Sequence, residues 1–206
     1  MKLLIAIPTL DYIHHAFMQS LVKLVTRLKD DGVDFDVEIK SGTLVYHARN
    51  LLATKARQEG YTHVLWLDSD MVFTEDLLDD LMFSGKDFVS GIYHARREPH
   101  VSCIFKGIDP VDRFSNDTYP TEPFEIRGCG FGCVLMTVDV INKVFSKFDT
   151  CFLPMASYGE DLAFCFRATC CGIKIYCDPG VRLGHVGHIT IYPEYEEKWK
   201  AKELIK

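Results

Sequence analysis

The sequence predicts an α/β protein: a mostly parallel central sheet with helices on both faces, followed by a smaller mixed C-terminal part. Three observations carry this expectation. Through residue 93, apolar runs of strand length alternate with segments of helical period. The run ending in Leu65-Trp66-Leu67 is almost continuously apolar, as in a strand covered on both faces. After Tyr93 the alternation loosens into short strands and a polar loop.

Lys2 to Pro8 forms the first expected strand. Ile13 to Lys29 is an amphipathic helix, because Phe17, Leu21, Leu24, Val25 and Leu28 recur at helical spacing, and Gly32 stops it. Val33, Phe35, Val37 and Ile39 alternate with polar residues, the pattern of a half-buried strand. Ala48 to Glu59 is a second helix closed by Gly60, and Thr62 to Leu67 a central third strand. Glu75 to Met82 is helical, and Asp87 to Tyr93 is the fourth strand. Strands joined through helices in this way run parallel. Phe124 to Arg127 and Cys133 to Thr137 read as strands beyond a loop over 108–123, and Val138 to Phe148 contains a helix. Asp161 to Cys171 is another helix, stopped by Gly172. Lys174 to Cys177 is a strand before a turn at Asp178-Pro179-Gly180, and Glu194 to Ile205 is a terminal helix.

A chain of 206 residues suits one domain with a sizeable core. The net charge of −6 argues against a nucleic-acid partner, which needs a basic footprint. Leu3 to Ile7 is too short for a signal-peptide core, and no apolar run approaches the roughly 20 residues of a membrane span. The expected location is cytoplasmic. The eight cysteines are then reduced, mostly buried thiols; Cys129, Cys133 and the Cys170-Cys171 pair match no standard zinc spacing.

Three separated segments carry groups for metal or acid–base chemistry. In Asp68-Ser69-Asp70, an extended chain sends both carboxylates to one face at the C-terminal edge of the sheet, where open α/β sheets bind ligands. Like charges held so close repel unless a cation sits between them or one is protonated, and a divalent metal bridging to a phosphate is the economical explanation. The plainer reading is that Asp68 ends the strand and Asp70 caps the helix starting near Thr74. Glu160 and Asp161 open a helix, where acidic side chains also serve the dipole and the free N–H groups. His185 lies between Gly184 and Gly187, which let backbone approach closely.

Taken together, these pieces resemble the GT-A glycosyltransferases, which transfer sugars from nucleotide-sugar donors. The matching segments are Ile7-Pro8-Thr9, Ala48-Arg49-Asn50, Leu67-Asp68-Ser69-Asp70, Gly128-Cys129-Gly130-Phe131-Gly132, Gly159-Glu160-Asp161, and Asp178-Pro179 followed by Gly184-His185. They span most of the chain in the family's order. The resemblance implies a Rossmann-like single GT-A domain over 1–206. Residues 1–93 form its nucleotide-binding half, and residues 94–206 its acceptor and metal-completing half.

It further implies roles. Asp70 and His185, with Asp68, hold a Mn²⁺ or Mg²⁺ ion, and the imidazole favours Mn²⁺. Pro8, Thr9, Arg49, Asp68 and Ser69 surround the nucleotide, and Gly130 lies in a small-residue segment beside the transferred sugar. Asp161 is the catalytic base of an inverting reaction, kept ionised by the helix dipole, with Glu160 its neighbour near the acceptor. The donor is a UDP- or GDP-type sugar and the acceptor a carbohydrate or other hydroxyl. Two alternatives stand beside this: a nucleotidyltransferase of the same architecture, against which the glycine-poor Ile7-Pro8-Thr9-Leu10-Asp11 loop speaks, and a non-catalytic nucleotide- or carbohydrate-binding module.

Some features depart from the pattern or stay outside it. Many relatives place an acidic residue after the second strand to read the base; here the stretch is Ile39-Lys40-Ser41-Gly42. His188 is a second candidate for the metal-binding histidine. Arg96-Arg97 reads as a solvated loop, with donor phosphate or acceptor contact as the other reading. Phe105 and Phe131 belong to the core. Tyr192, Tyr195 and Trp199 cover the protein's own core or make a peripheral membrane contact.

Overall fold

The structure, a computed structural model, describes residues 1–98, 100–107, 112–114, 119–156 and 158–187. His188, the terminal helix and Tyr192, Tyr195 and Trp199 lie outside these residues, as do parts of the loop over 108–123.

The first half follows the expected alternation: β1 (Lys2–Pro8), α1 (His15–Asp30), β2 (Asp34–Lys40), α2 (Val45–Gln58), β3 (His63–Leu67), β4 (Met71–Val72), α3 (Leu77–Phe83) and β5 (Phe88–Ile92). The second half contributes β6 (Ile104–Phe105), β7 (Phe124–Ile126), β8 (Gly128–Cys129), β9 (Cys133–Thr137), α4 (Val138–Phe148), α5 (Glu160–Cys170), β10 (Ile175–Arg182) and β11 (Gly184–His185). Seven strands form the central sheet in the order β2-β1-β3-β9-β5-β10-β7.

Strands β1, β2 and β3 run parallel, as do β5 and β10; β9 is antiparallel to both its neighbours, and β7 to β10. The parallel run is therefore interrupted by a strand from the second half. Cys133-Val134-Leu135-Met136 is buried throughout, so it gains most by lying between two strands that each cover one of its edges.

Alternation along β1 builds two cores. Leu4 and Ala6 face a cluster with Leu52, Trp66, Phe88, Phe131 and Phe164. Leu3, Ile5 and Ile7 face one with Phe17, Leu21, Leu24, Leu28 and Leu65. Helices on both faces thus cover one sheet, as the composition of the strands demands.

The boundaries differ from expectation where local signals conflict. Helix α2 starts at Val45, three residues early, and its N-cap Leu44 offers no side-chain acceptor to announce it. Residues 178–180 do not end a strand. They form an irregularity inside β10, where the Gly180 N–H donates to Asp178 Oδ1 at 2.9 Å and the pairing with β5 shifts register. All eight cysteines are free, and five are buried. Among the described residues, no helix is long and apolar enough to cross a membrane.

Candidate active site

Strand β3 ends at Leu67, and Asp68-Ser69-Asp70 is a tight turn in which the Met71 N–H donates to the Asp68 carbonyl at 3.2 Å. The extended geometry expected of this segment is absent. Its two carboxylates still line one cavity, of about 850 Å³, at the C-terminal edge of the sheet. Helix α3 begins only at Leu77, with Asp76 at its N-cap, so Asp70 does not cap it.

Pro8, Thr9, Arg49, Ser69, Glu160 and His185 line the same cavity, together with Asp68 and Asp70. Most of the predicted site residues, drawn from segments up to 177 positions apart (Pro8 to His185), are thereby brought together. The Ser69 hydroxyl donates to Thr9 Oγ1 at 3.2 Å and the His14 N–H donates to the Ser69 carbonyl at 3.0 Å, which fastens the loop after β1 to the turn.

The two aspartates have different partners. Arg49 is buried and donates from Nη2 to Asp68 Oδ1 at 2.7 Å, while its Nε lies 3.5 Å from Glu160 Oε1. Among the described residues Arg49 Nη1 has no hydrogen-bond partner, and the guanidinium stands over the Phe131 ring. Burial pushes the Asp68 carboxyl up and Asp70's charge adds to it, and Arg49 only partly offsets them.

Asp70 is set by a two-residue ladder. Strand β11 pairs antiparallel with β4, placing His185 opposite Met71, and the Val186 N–H donates to the Asp70 carbonyl at 2.9 Å. His185 Nδ1 donates to the His94 carbonyl at 2.8 Å, so Nε2 faces Asp70 Oδ2 at 3.4 Å. Burial would raise the Asp70 carboxyl, but the hydrogen bond and charge of His185 and the charge of Arg96 together hold it below its usual value. The bond to Asp70 raises His185 in turn, against its burial.

A metal fits this pair. Two cis ligands on one ion, each about 2.1 Å from it, lie roughly 3 Å apart, close to the separation found. A histidine whose second nitrogen is held by a backbone carbonyl is also the usual metal-binding arrangement. Asp68 is drawn away to Arg49, and among the described residues no three His, Cys, Asp or Glu side chains converge on one point.

Two predicted residues do not line the cavity. Asp161 follows Glu160 at the start of α5, with Oδ1 accepting from the Leu162 N–H at 2.7 Å. Its carboxyl is pushed up to about 6 by burial and by the charge of Glu160, so the helix N-terminus does not keep it at an ordinary carboxylate value as expected. Gly130 is packed against Tyr93: a Cβ there would stand 2.1 Å from Tyr93 Oη. The hydroxyl of Tyr93 accepts from the Gly132 N–H at 2.9 Å, and the Gly132 carbonyl accepts from the Asp68 N–H at 3.1 Å. The glycines thus let β9 start beside the Asp68-Ser69-Asp70 turn.

Arg96 lies in an exposed loop, as its preferred reading has it, and its guanidinium also reaches the cavity wall, where it contacts Asp70 Oδ2; nothing in the sequence signals that partner. Sequence reasoning passed over Tyr12, His14 and His15, which line the cavity from the approach to α1. His14 caps that helix with its own ring, Nδ1 accepting from the Ala16 N–H at 3.2 Å, a role that no preference for Ser, Thr, Asp or Asn would reveal.

No protein-family model matches the chain, and no curated protein matches its sequence. Solved structures do. The A197 protein from STIV aligns over 93% of this chain and 97% of its own, at 16% identity and a TM-score of 0.57. GalNAc-T7, solved with UDP, GalNAc and Mn²⁺, aligns over 94% of this chain but 45% of its own, at 12% identity and a TM-score of 0.63. The catalytic domain of Drosophila beta1,4-galactosyltransferase 7, in complex with xylobiose, aligns over 95% of this chain and 78% of its own, at 15% identity and a TM-score of 0.56. The chain has a GT-A-like, glycosyltransferase-type fold.

Proposed function

We propose that this chain is a metal-dependent glycosyltransferase that moves a sugar from a nucleoside-diphosphate sugar to a hydroxyl acceptor. The observation that carries the reading is the meeting of Asp70 and His185, 3.4 Å apart across a two-strand ladder, in a cavity that Arg49, Asp68 and Glu160 also line. A neighbour of the same fold, GalNAc-T7, is solved with UDP, GalNAc and Mn²⁺, which supports the same donor chemistry here.

Asp70 and His185 would hold the ion, which when bound neutralises the charge that develops on the leaving diphosphate; one imidazole beside carboxylate oxygen suits Mn²⁺. Pro8 and Thr9 form the nucleotide-side wall. Asp68 and Glu160 hold the buried Arg49 guanidinium at the wall of the donor cavity, where its charge favours an anionic ligand. Asp161 is the base that takes the acceptor proton, giving inversion: a carboxyl of about 6 is mostly ionised at neutral pH and is a stronger base than an ordinary aspartate. Glu160 commits its own carboxylate to Arg49. In this reading residues 1–93 form the donor half, and residues 94–206 complete the metal and acceptor side.

Incubation with a panel of UDP- and GDP-sugars and Mn²⁺, read by mass spectrometry, tests the proposal. Slow donor hydrolysis or transfer that disappears on chelation and in Asp70→Ala is expected. Nucleotide binding that ignores both metal and Asp70 would refute it.

A further inference from the structure

Arg96 lies four residues beyond β5, on a stretch of chain that is anchored rather than loose. The His94 carbonyl accepts from His185 Nδ1 at 2.8 Å, and the Ala95 N–H donates to the Val101 carbonyl at 2.8 Å. At Gly187 a Cβ would stand 3.0 Å from the Arg96 carbonyl oxygen and 3.2 Å from its Cβ, so the backbones of the two segments pass in near contact. The side chain itself reaches into solvent: it is 49% exposed, against 22% for Asp70.

That guanidinium contacts Asp70 Oδ2, the same oxygen that faces His185 Nε2. One carboxylate oxygen therefore has two claimants. Asp70 and His185 would offer this oxygen to a divalent ion, whose charge would repel a guanidinium held on the same spot. Displaced, Arg96 stays tethered at the cavity wall. The acidic groups deeper in the cavity, Asp68 and Glu160, already face Arg49. A donor diphosphate brings new negative oxygens to the metal, and a guanidinium matches them in a fork.

We propose that Arg96 is a phosphate-positioning residue that exchanges partners: it holds Asp70 when no divalent ion is bound and passes to the donor's diphosphate when the ion takes Asp70. This rests on the donor-site reading above. The exchange makes Arg96 oppose binding of the metal alone and favour the nucleotide once metal is present, so the two ligands become coupled through one side chain.

The test measures Mn²⁺ binding directly, by the paramagnetic resonance signal of free Mn²⁺, and then UDP and GDP binding by calorimetry at saturating Mn²⁺. Arg96→Met is expected to bind Mn²⁺ alone more tightly and the nucleoside diphosphate more weakly, each by roughly ten-fold, a usual size for coupling between sites. Arg96→Lys keeps the repulsive charge and loses the fork, so Mn²⁺ binding stays near wild type while nucleotide binding still weakens. Circular dichroism confirms that both variants are folded, as expected for a half-exposed side chain.

Wild-type Mn²⁺ binding that Asp70→Ala abolishes, combined with an unchanged Mn²⁺ affinity in Arg96→Met, overturns the exchange and leaves the donor site standing. A wild-type protein that binds neither Mn²⁺ nor either nucleotide overturns both.

Discussion

Asp68 and Asp70 sit in one turn, two residues apart, and the fold treats them in opposite ways. Asp68 is set against the buried guanidinium of Arg49, and burial drives its carboxyl up. Asp70 faces His185 and Arg96, which hold its carboxyl down. The first works as a strut that keeps an arginine charged inside the protein. The second is an ionised oxygen presented to whatever cation the cavity admits. Closeness in sequence gave the two carboxylates a shared cavity, and their different neighbours gave them different work.

The sharpest way to break this contrast is to neutralise each aspartate in turn. Asp70→Asn is expected to lose measurable Mn²⁺ binding and to lower turnover by about 10²–10³-fold, the scale for losing a group that stabilises transition-state charge. Asp68→Asn keeps a carbonyl oxygen for Arg49 and should retain Mn²⁺ binding with a far smaller loss of rate. Equal losses in both variants, read by paramagnetic resonance and initial rates, would mean that the pair acts as one metal-binding unit.

Asp161 extends the comparison to a carboxyl that also sits high but, among the described residues, has no arginine against it at hydrogen-bond distance. Its pH behaviour has a definite sign. The unfolded chain loses this proton near 3.8 and the native protein near 6, so between those values the native state binds more protons and stability falls as pH rises. By neutral pH the ionised group costs roughly 3 kcal/mol. Asp161→Asn should therefore raise the melting temperature at pH 7 while lowering transfer by about 10²-fold or more. In the wild type, kcat/KM should climb as pH passes through about 6. A variant that is both inactive and less stable would contradict the assignment.

Arg49→Met tests the strut. It strands Asp68 and Glu160 in a half-enclosed site, and the expected cost is about 2–3 kcal/mol in denaturant melts, below the range for fully buried pairs because both carboxylates keep some contact with water. Substituting Arg27, whose three aspartate partners are all well exposed, should change stability far less.

Much of this was legible from the amino acids. Strands β1, β3 and β9 and helices α4 and α5 carry long apolar signals, and the three chemical segments stood out because carboxylates and a glycine-framed histidine interrupt such signals. The order of the sheet was not legible. That β9 enters between β3 and β5 depends on which edges remain unpaired, and a strand's own sequence does not record that. The ladders β4 with β11 and β6 with β8 are two residues per strand, too short to show a period, yet the first of them brings His185 to Asp70. The contact of the exposed Arg96 with Asp70 was not legible for a related reason: its place at the cavity depends on the chain around Gly187, which passes close to its backbone.

Tyr93 joins the two sides of the comparison and gives the finest test of it. Its ring packs edge-on against His185, with centroids 5.5 Å apart, and its hydroxyl accepts from the Gly132 N–H, whose residue in turn accepts from Asp68. Gly130→Ala puts a methyl 2.1 Å from that hydroxyl, and with Tyr93 buried the clash cannot be relieved by a simple swing; a loss of about 1–3 kcal/mol is expected. Tyr93→Phe removes the hydroxyl and should cost about 1 kcal/mol for the lost hydrogen bond. In the double variant the methyl gains the space the hydroxyl vacates, so the combined loss should fall below the sum of the two by roughly 1 kcal/mol. Additive losses would mean that Gly130 is required by something other than Tyr93, and would return it to the sugar side of the site that its place in the sequence first suggested.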